Sequence, residues 1–488
     1  MPHTVLRELA FQMKSKELRD YGREVLQRDP NRVAAAEVLD LMAYLVECDF
    51  VGAEAKIDTI KYRFQDTKDE GYVSEAISLA KTHINFAFGR FDELNDSANS
   101  FLTHHNNWPA IEKGEFLDVL RILAQRAMFL DLNHELDQIL KDMKQYQTDD
   151  KSVNQLYLTN SIIAIWTFVE GNLNDAEEIA KRNIEIAKQS KYSGLMAPID
   201  SMFILAMCKK GQTKHVEAFN LFSEVMDIAK KLRQWPWYFM AEGLIIRDLA
   251  RQNKMTEALA AIRAQRQMLL DFDFKHNLNF IPDINELYVR YLIKDLERIE
   301  VLANRAPDLV IVRQIKGAVM ELQGQNVTKW VEELPNRTTR EKFYKLIAYS
   351  WLYRQKESVA VGYMSQALEL AEQSGFSELV IRQHELLDIV LKAVAKKPTV
   401  FLEGLASKMI DQVKLMGSNN QNGIPIPLTT RELEVIRHLS TGKPISEIGN
   451  ILHVSMNTMK THLRNTYRKL EVDGREKAVE KAKALFLI

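Results

Sequence analysis

Between Val454 and Leu470 the sequence VSMNTMKTHLRNTYRKL holds four basic side chains and no acidic one. Lys460, Arg464 and Arg468 recur every fourth residue, which puts them on one side of any helix formed there. Asn457 and Thr461 fall on the same side. Such a strip has the chemistry to meet duplex DNA: Lys and Arg reach guanine acceptors or phosphates, and Thr461 reaches a base edge or a thymine methyl. Met459, Leu463, Thr466, Tyr467 and Leu470 share another face, apolar enough to pack inward. An isolated cationic strip is usually no more than a solvated surface, so the elements around it decide its meaning.

Those elements are legible. Ser455 is a good N-cap, and Val454 before it is placed to staple onto Met459. Upstream, Thr429 with Glu432 three positions later predicts a capping box opening a helix through TRELEVIRHLS, ended by Gly442. A second short helix, SEIGNILH, follows a turn containing Pro444, and Gly449 in it leaves room for a close helix approach. The strip therefore rides on the third helix of a small core, the arrangement that lays a helix in the major groove. Residues 428–488 hold 11 Lys+Arg against 7 Asp+Glu, net +4, and the remainder holds 54 against 59, net −5. A basic module on an acidic body is the expected split when one part binds nucleic acid.

The stretch from Leu428 to Ala478 resembles the LuxR/GerE-type four-helix DNA-binding domain. The resemblance rests on Leu428, Thr429, Arg431 and Glu432, on Gly442, Glu447 and Ile448, and on Val454, Ser455, Thr458, Lys460 and His462. It continues through Tyr467, Lys469, Leu470, Val472, Arg475 and Ala478. It implies that Lys460, Thr461 and Arg464 face bases, and that Ser455, Thr458, Asn465 and Lys469 hold phosphates; Asn457 and Arg468 flank them. It also implies a homodimer on double-stranded DNA, paired through the last helix, GREKAVEKAKALFLI, and a contact with RNA polymerase. Departures are Gly449 for the usual alanine, Met459 for the usual valine, and Pro444 where a capping Ser or Thr is common. His462 has no companion at metal-ligand spacing, so no metal site is expected.

Most of the remaining chain is written in one period. Phe50, Phe91, Leu132, Leu173, Thr213 and Met255 occupy matching places, spaced by 41, 41, 41, 40 and 42 residues, and Leu296 follows another 41 on. Further turns fall near Asn326 and Glu357, and Ala360 to Gln373 echoes Ala176 to Gln189. A fixed period of this size predicts stacked helical hairpins, none able to bury its apolar face alone; the alternative is a non-repetitive helical bundle. The pattern resembles tetratricopeptide arrays, and more closely the long-repeat kind of the maltose-regulator type of bacterial activator. Asn85, Arg126 and Thr167 form an aligned polar column six residues before three successive turns, a candidate ligand groove; the blander reading has them bonded to neighbouring helices. Trp235 to Phe239 is either a grip for a ligand or core.

The totals agree with an all-α chain. Of 488 residues 46% are hydrophobic, with only 12 prolines and 19 glycines, which favours long helices. Two cysteines, Cys48 and Cys208, exclude a disulfide framework and fit buried packing. There is no signal-peptide pattern and no run long enough to cross a bilayer, so a cytoplasmic location away from membranes is expected. No G-x-x-x-x-G-K-[ST] occurs and no catalytic frame is visible, so neither an enzyme nor a cofactor is expected. A relative of the ATP-driven activators that has lost this loop is a third, lesser reading.

The expectation is a helical-repeat solenoid over 1–400, a final helix and linker over 401–427, and a helix-turn-helix domain over 428–488. Its function would be sequence-specific transcription regulation, with a peptide, protein or small-molecule effector on the solenoid. The competing view is a repeat-array adaptor whose DNA binding only localises its partner.

Overall fold

The computed structural model describes residues 15–105, 113–145, 152–192, 194–252, 254–271, 278–419, 430–470 and 472–484. Among these, all regular structure is helical. The chain runs through α1 (Ser15–Arg28), α2 (Val33–Val46), α3 (Phe50–Phe64), α4 (Glu70–Ala87), α5 (Phe91–His105), α6 (Lys113–Phe129), α7 (Asn133–Gln145), α8 (Val153–Glu170) and α9 (Leu173–Gln189). It continues with α10 (Ile199–Gly211), α11 (His215–Lys231), α12 (Trp235–Arg251), α13 (Met255–Asp271), α14 (Phe280–Leu292), α15 (Leu296–Arg305), α16 (Val310–Leu322), α17 (Thr328–Glu333), α18 (Thr339–Leu352) and α19 (Glu357–Ser374). Then come α20 (Glu378–Ile381), α21 (Leu387–Lys396), α22 (Val400–Asn419), α23 (Thr430–Ser440), α24 (Ile445–Ile451), α25 (Met456–Leu470) and α26 (Arg475–Ala484).

The period is a copied turn. In successive hairpins a backbone N–H just past the first helix donates five residues back: Asp49 to Tyr44, Arg90 to Asn85, Leu132 to Ala127, Asn172 to Thr167, Lys214 to Lys209, Lys254 to Leu249 and Asp295 to Arg290, at 2.8–3.1 Å. This is the bond of a Schellman closure, which satisfies a carbonyl the helix end leaves bare and turns the chain about. The left-handed residue it needs is glycine at Gly89 and Gly171, but Cys48, Asp131, Thr213 and Lys294 elsewhere. Of the residues that mark the period, Phe50, Phe91, Leu173, Met255 and Leu296 each open the second helix of a hairpin, while Leu132 and Thr213 fall one and two residues before it.

Two compact units result: Met1–Glu242 with Phe274–Leu278 and Thr328–Ala406, and Gly243–Asp273 with Asn279–Val327 and Ser407–Ile488. The first winds back on itself. Arg340, opening α18, donates from Nη2 to the Phe168 carbonyl at 2.7 Å across 172 residues, and its guanidinium lies 4.2 Å from the Phe168 ring centroid. Glu170 accepts from the Thr339 N–H and hydroxyl, both at 3.1 Å, and Ser377 N–H reaches the Gly211 carbonyl. Gly171 permits this approach, for its φ is +108° and a Cβ there would stand 2.7 Å from the Arg340 nitrogen.

The interior of that unit is filled by its own side chains. Phe86, Phe129, Phe203 and Trp237 interlock, with the Phe129 and Trp237 centroids 4.6 Å apart. Trp235, Trp237 and Phe239 are all buried, so the aromatic segment is core. Beside it lies a buried ionic network: Asp118 takes His83 Nε2 at 3.0 Å and Arg121 at 2.7 Å, and Asp200 takes Gln125 at 2.9 Å. Cys48 and Cys208 are free thiols, pushed by burial up to about 12.

Candidate nucleic-acid interface

The basic helix is α25. Ser455 precedes it and its Oγ accepts from the Thr458 N–H at 3.2 Å, the N-cap bond the sequence predicts, with the Thr458 hydroxyl 2.9 Å away. Met459, Leu463, Thr466 and Leu470 are buried, and they pack with Val435, Ile436 and Leu439 of α23, Ile448 of α24, and Ala478 and Ala482 of α26. Val454 joins this core, as a staple onto Met459 requires. Thr466 Oγ1 donates to the His462 carbonyl at 2.8 Å, so this buried hydroxyl is satisfied.

A core of ten buried side chains, three of them its own, therefore holds a fifteen-residue helix by one side. The other side is bare. Asn457, Lys460, Thr461, Arg464 and Arg468 are all exposed, and Asn465 is half-buried beside them. Thr461 Oγ1 donates to the Asn457 carbonyl at 3.0 Å, which orients its methyl group and leaves the oxygen free to accept.

Charge is sorted within the domain. Arg431 pairs with Glu434 at 2.6 Å, Lys443 with Glu447 at 2.8 Å, and Lys477 with Asp473 at 2.8 Å. Arg475 donates to the Leu439 carbonyl at 2.7 Å. Among the described residues, Lys460, Arg464 and Arg468 have no ion-pair partner. Three uncompensated cations thus stand together where the helix faces outward, the arrangement that exchanges counterions for phosphates.

One expected contact residue sits apart from the others. Lys469, placed with the phosphate-holding residues by resemblance, is turned into the domain: its Nζ lies 2.6 Å from Glu432 Oε2, with the two side chains 10% and 4% exposed. It ties α25 to α23. The capping box expected for Glu432 depends on Thr429, which lies outside the described residues, as do 420–427 of the expected linker. Pro444 does start α24 without a side-chain cap.

The polar column of the array divides. Arg126 donates to the Phe91 carbonyl at 3.2 Å and pairs with Glu135 at 2.6 Å, so it braces the turn of its own hairpin. Thr167 is buried, and its carbonyl closes the Gly171 turn. Asn85 lines a cleft formed by α3, α4 and α5. Among the described residues no group of three or more His, Cys, Asp or Glu side chains is placed to hold a metal ion, and no helix is long and apolar enough to cross a membrane.

A short helix and a capped, outward-facing basic helix on one core define a helix-turn-helix DNA-binding domain, carried on a helical-repeat array. Residues 426–482 match the family model of the bacterial regulatory proteins, luxR family. The HTH-type transcriptional regulator MalT of Vibrio cholerae serotype O1 is 21% identical over 462 residues, covering 88% of this chain and 46% of that protein. MalT of Yersinia pestis (strain Pestoides F) is 44% identical over 59 residues, 12% of this chain and 6% of that one. The chain thus spans less than half the length of these relatives. Among solved structures, a Rap protein complexed with competence and sporulation factor aligns over 76% of this chain and 98% of its own, at 13% identity and a TM-score of 0.46.

Proposed function

We propose that this protein is a sequence-specific, double-stranded-DNA-binding transcription regulator, acting in the cytoplasm, whose helical-repeat region senses an effector. The observation that carries the reading is the sorting of charge in the C-terminal domain: among the described residues Lys460, Arg464 and Arg468 on the outer strip of α25 have no ion-pair partner, while the inner face is clamped. The name transcriptional regulator borne by the MalT relatives supports it.

In this account α25 enters the major groove. Lys460, Thr461 and Arg464 meet base edges, and Ser455, Asn457, Thr458, Asn465 and Arg468 meet the backbone. The outer surface of α26 pairs two copies over half-sites about one helical turn apart. The functional division is a repeat region over 1–400, a connecting segment over 401–427 and the DNA-reading domain over 428–488. RNA polymerase is the partner through which a bound dimer would change transcription.

The test is selection from a random duplex pool with the full chain. A two-fold related motif is expected, and Arg464→Ala relaxes preference at one base position per half-site. Recovery of no enriched motif contradicts the reading.

A further inference from the structure

Consecutive repeats leave a cleft of about 1160 Å³ between α3 and α5, floored by α4. Its origin is visible in the residue sizes. Where α4 meets α5 the contacts are small hydroxyls: Ser78 and Ser100 lie 3.1 Å apart, and Thr82 and Asn85 each donate to Ser97 at 3.4 Å. Larger side chains at those positions would fill the seam; serines leave it open. The volume exceeds the roughly 300–1,000 Å³ of small-molecule pockets, so the space suits a chain segment better than a metabolite.

Two features point to the kind of segment. The first is Asn85, 93% buried in the floor yet lining the cleft. Its amide nitrogen is used on Ser97, and among the described residues its carbonyl oxygen has no donor. That oxygen is open to the cleft, so a backbone N–H laid along the floor can bond to it in place of water. The floor alternates such polar groups with buried Val73, Ile77 and Ile84, as an extended chain pressed onto it requires.

The second feature is the charge of the walls. Five carboxylates and three cations line the cleft. Arg90 is taken by Glu54 in an ion pair. Asp58 on α3, with Glu93 and Asp96 on α5, are exposed and have no ion-pair partner among the described residues. Lys61 and Lys81 leave the walls net negative.

We propose that this cleft is the effector site and that it takes an extended peptide segment carrying a lysine or arginine side chain, with its backbone on Asn85 and its cation between Asp58 and the Glu93–Asp96 pair. This deepens the reading that the repeat region senses an effector, and rests on it.

The test is fluorescence anisotropy on the full chain with labelled heptapeptide pools, randomised except for one central position fixed as Lys/Arg, as Ser, or as Asp/Glu. The Lys/Arg pool binds tightest. The double variant Glu93→Gln/Asp96→Asn weakens that pool about three- to ten-fold and leaves the Ser pool unchanged, the range expected of a partly screened ion pair. Asn85→Ala weakens the Lys/Arg and Ser pools alike. Both carboxylates are exposed, so a merely structural role would move the melting temperature and not the preference between pools. Pools that bind regardless of charge, a double variant that binds like wild type, or no binding at all overturns the proposal. DNA affinity measured on the same preparation separates the outcomes: DNA binding without peptide binding rejects the cleft and spares the DNA-reading domain, and the converse rejects that domain alone.

Discussion

The ammonium of Lys469 sits 2.6 Å from the Glu432 carboxylate across 37 residues of chain, inside the domain that presents the basic helix. The pair is nearly excluded from water, and removing one member takes from the other a close counter-charge in a buried setting. Lys469→Met is therefore expected to destabilise the C-terminal domain by about 3–5 kcal/mol, and Lys469→Met with Glu432→Leu to recover most of it. Thermal or urea unfolding of the full chain, followed by a probe in 430–484, checks this. Below the transition, the salt dependence of DNA binding should be unchanged in either variant; a reduced slope would return Lys469 to the phosphate contacts.

Gly449 in α24 is the mildest test of the same core. A Cβ there would stand 3.4 Å from the Val454 carbonyl and 4.0 Å from Met459 Cβ, the edge of ordinary contact. Gly449→Ala then removes the entropic cost of a helical glycine, and stability rises by up to about 1 kcal/mol. A loss of stability would mean that α24 and α25 cannot yield the few tenths of an ångström the methyl needs.

Gly171 predicts the opposite. Its backbone is left-handed, and a methyl would meet the Arg340 nitrogen at 2.7 Å and the Phe376 ring at 2.9 Å. Gly171→Ala combines backbone strain with overpacking, and costs about 2 kcal/mol or more. The loss should appear as early hydrogen exchange in both the 166–172 and 338–342 segments, since Arg340 and Phe168 share the contact. Exchange confined to the first segment would mean that the two stretches do not depend on each other.

Glu286 brings a pH dependence. Burial works against its charge, but hydrogen bonds from Arg298 and Arg266 and the field of Arg290 outweigh it and hold the carboxyl down to about 2. A depressed folded value means the native state binds its proton later than the unfolded chain does. The stabilisation is complete above about 4.3, the ordinary glutamate value, and drains away as pH falls through about 2. Unfolding free energy against pH should fall more gently over that window in Glu286→Gln than in wild type. Parallel curves would show that the ion-pair knot contributes nothing to acid sensitivity.

The places where sequence reasoning succeeded share a physical cause. The strip on α25 was legible because helical spacing and charge are local properties, and Ser455 and Val454 mark the helix start within five residues of Met459. The repeat was legible because the same hydrogen-bonded turn recurs, and each turn fixes where the next helix begins. The inward turn of Lys469 is hard to read from sequence because it sits in a basic run and its partner lies on another helix; its charge does not separate it from exposed Arg468, one position earlier. The helical period offers one hint, since Lys469 lies one step short of buried Leu470 and three beyond buried Thr466. Arg126 was grouped with Asn85 by register alone, yet Glu135 nine residues on, within the same hairpin, was available to claim it. The return of Arg340 onto Phe168 carries no periodic mark at all, since it depends on how several successive repeats add their small rotations.

The account rests on the cations of α25 meeting a duplex, and the salt dependence of binding measures that most directly. For the full chain, the logarithm of the association constant should fall linearly with the logarithm of salt concentration. Replacing Arg468 by Ala should flatten that slope by about one unit while leaving the selected motif intact. A slope near zero in the wild type, or one unchanged in the triple variant Lys460→Ala/Arg464→Ala/Arg468→Ala, would contradict it.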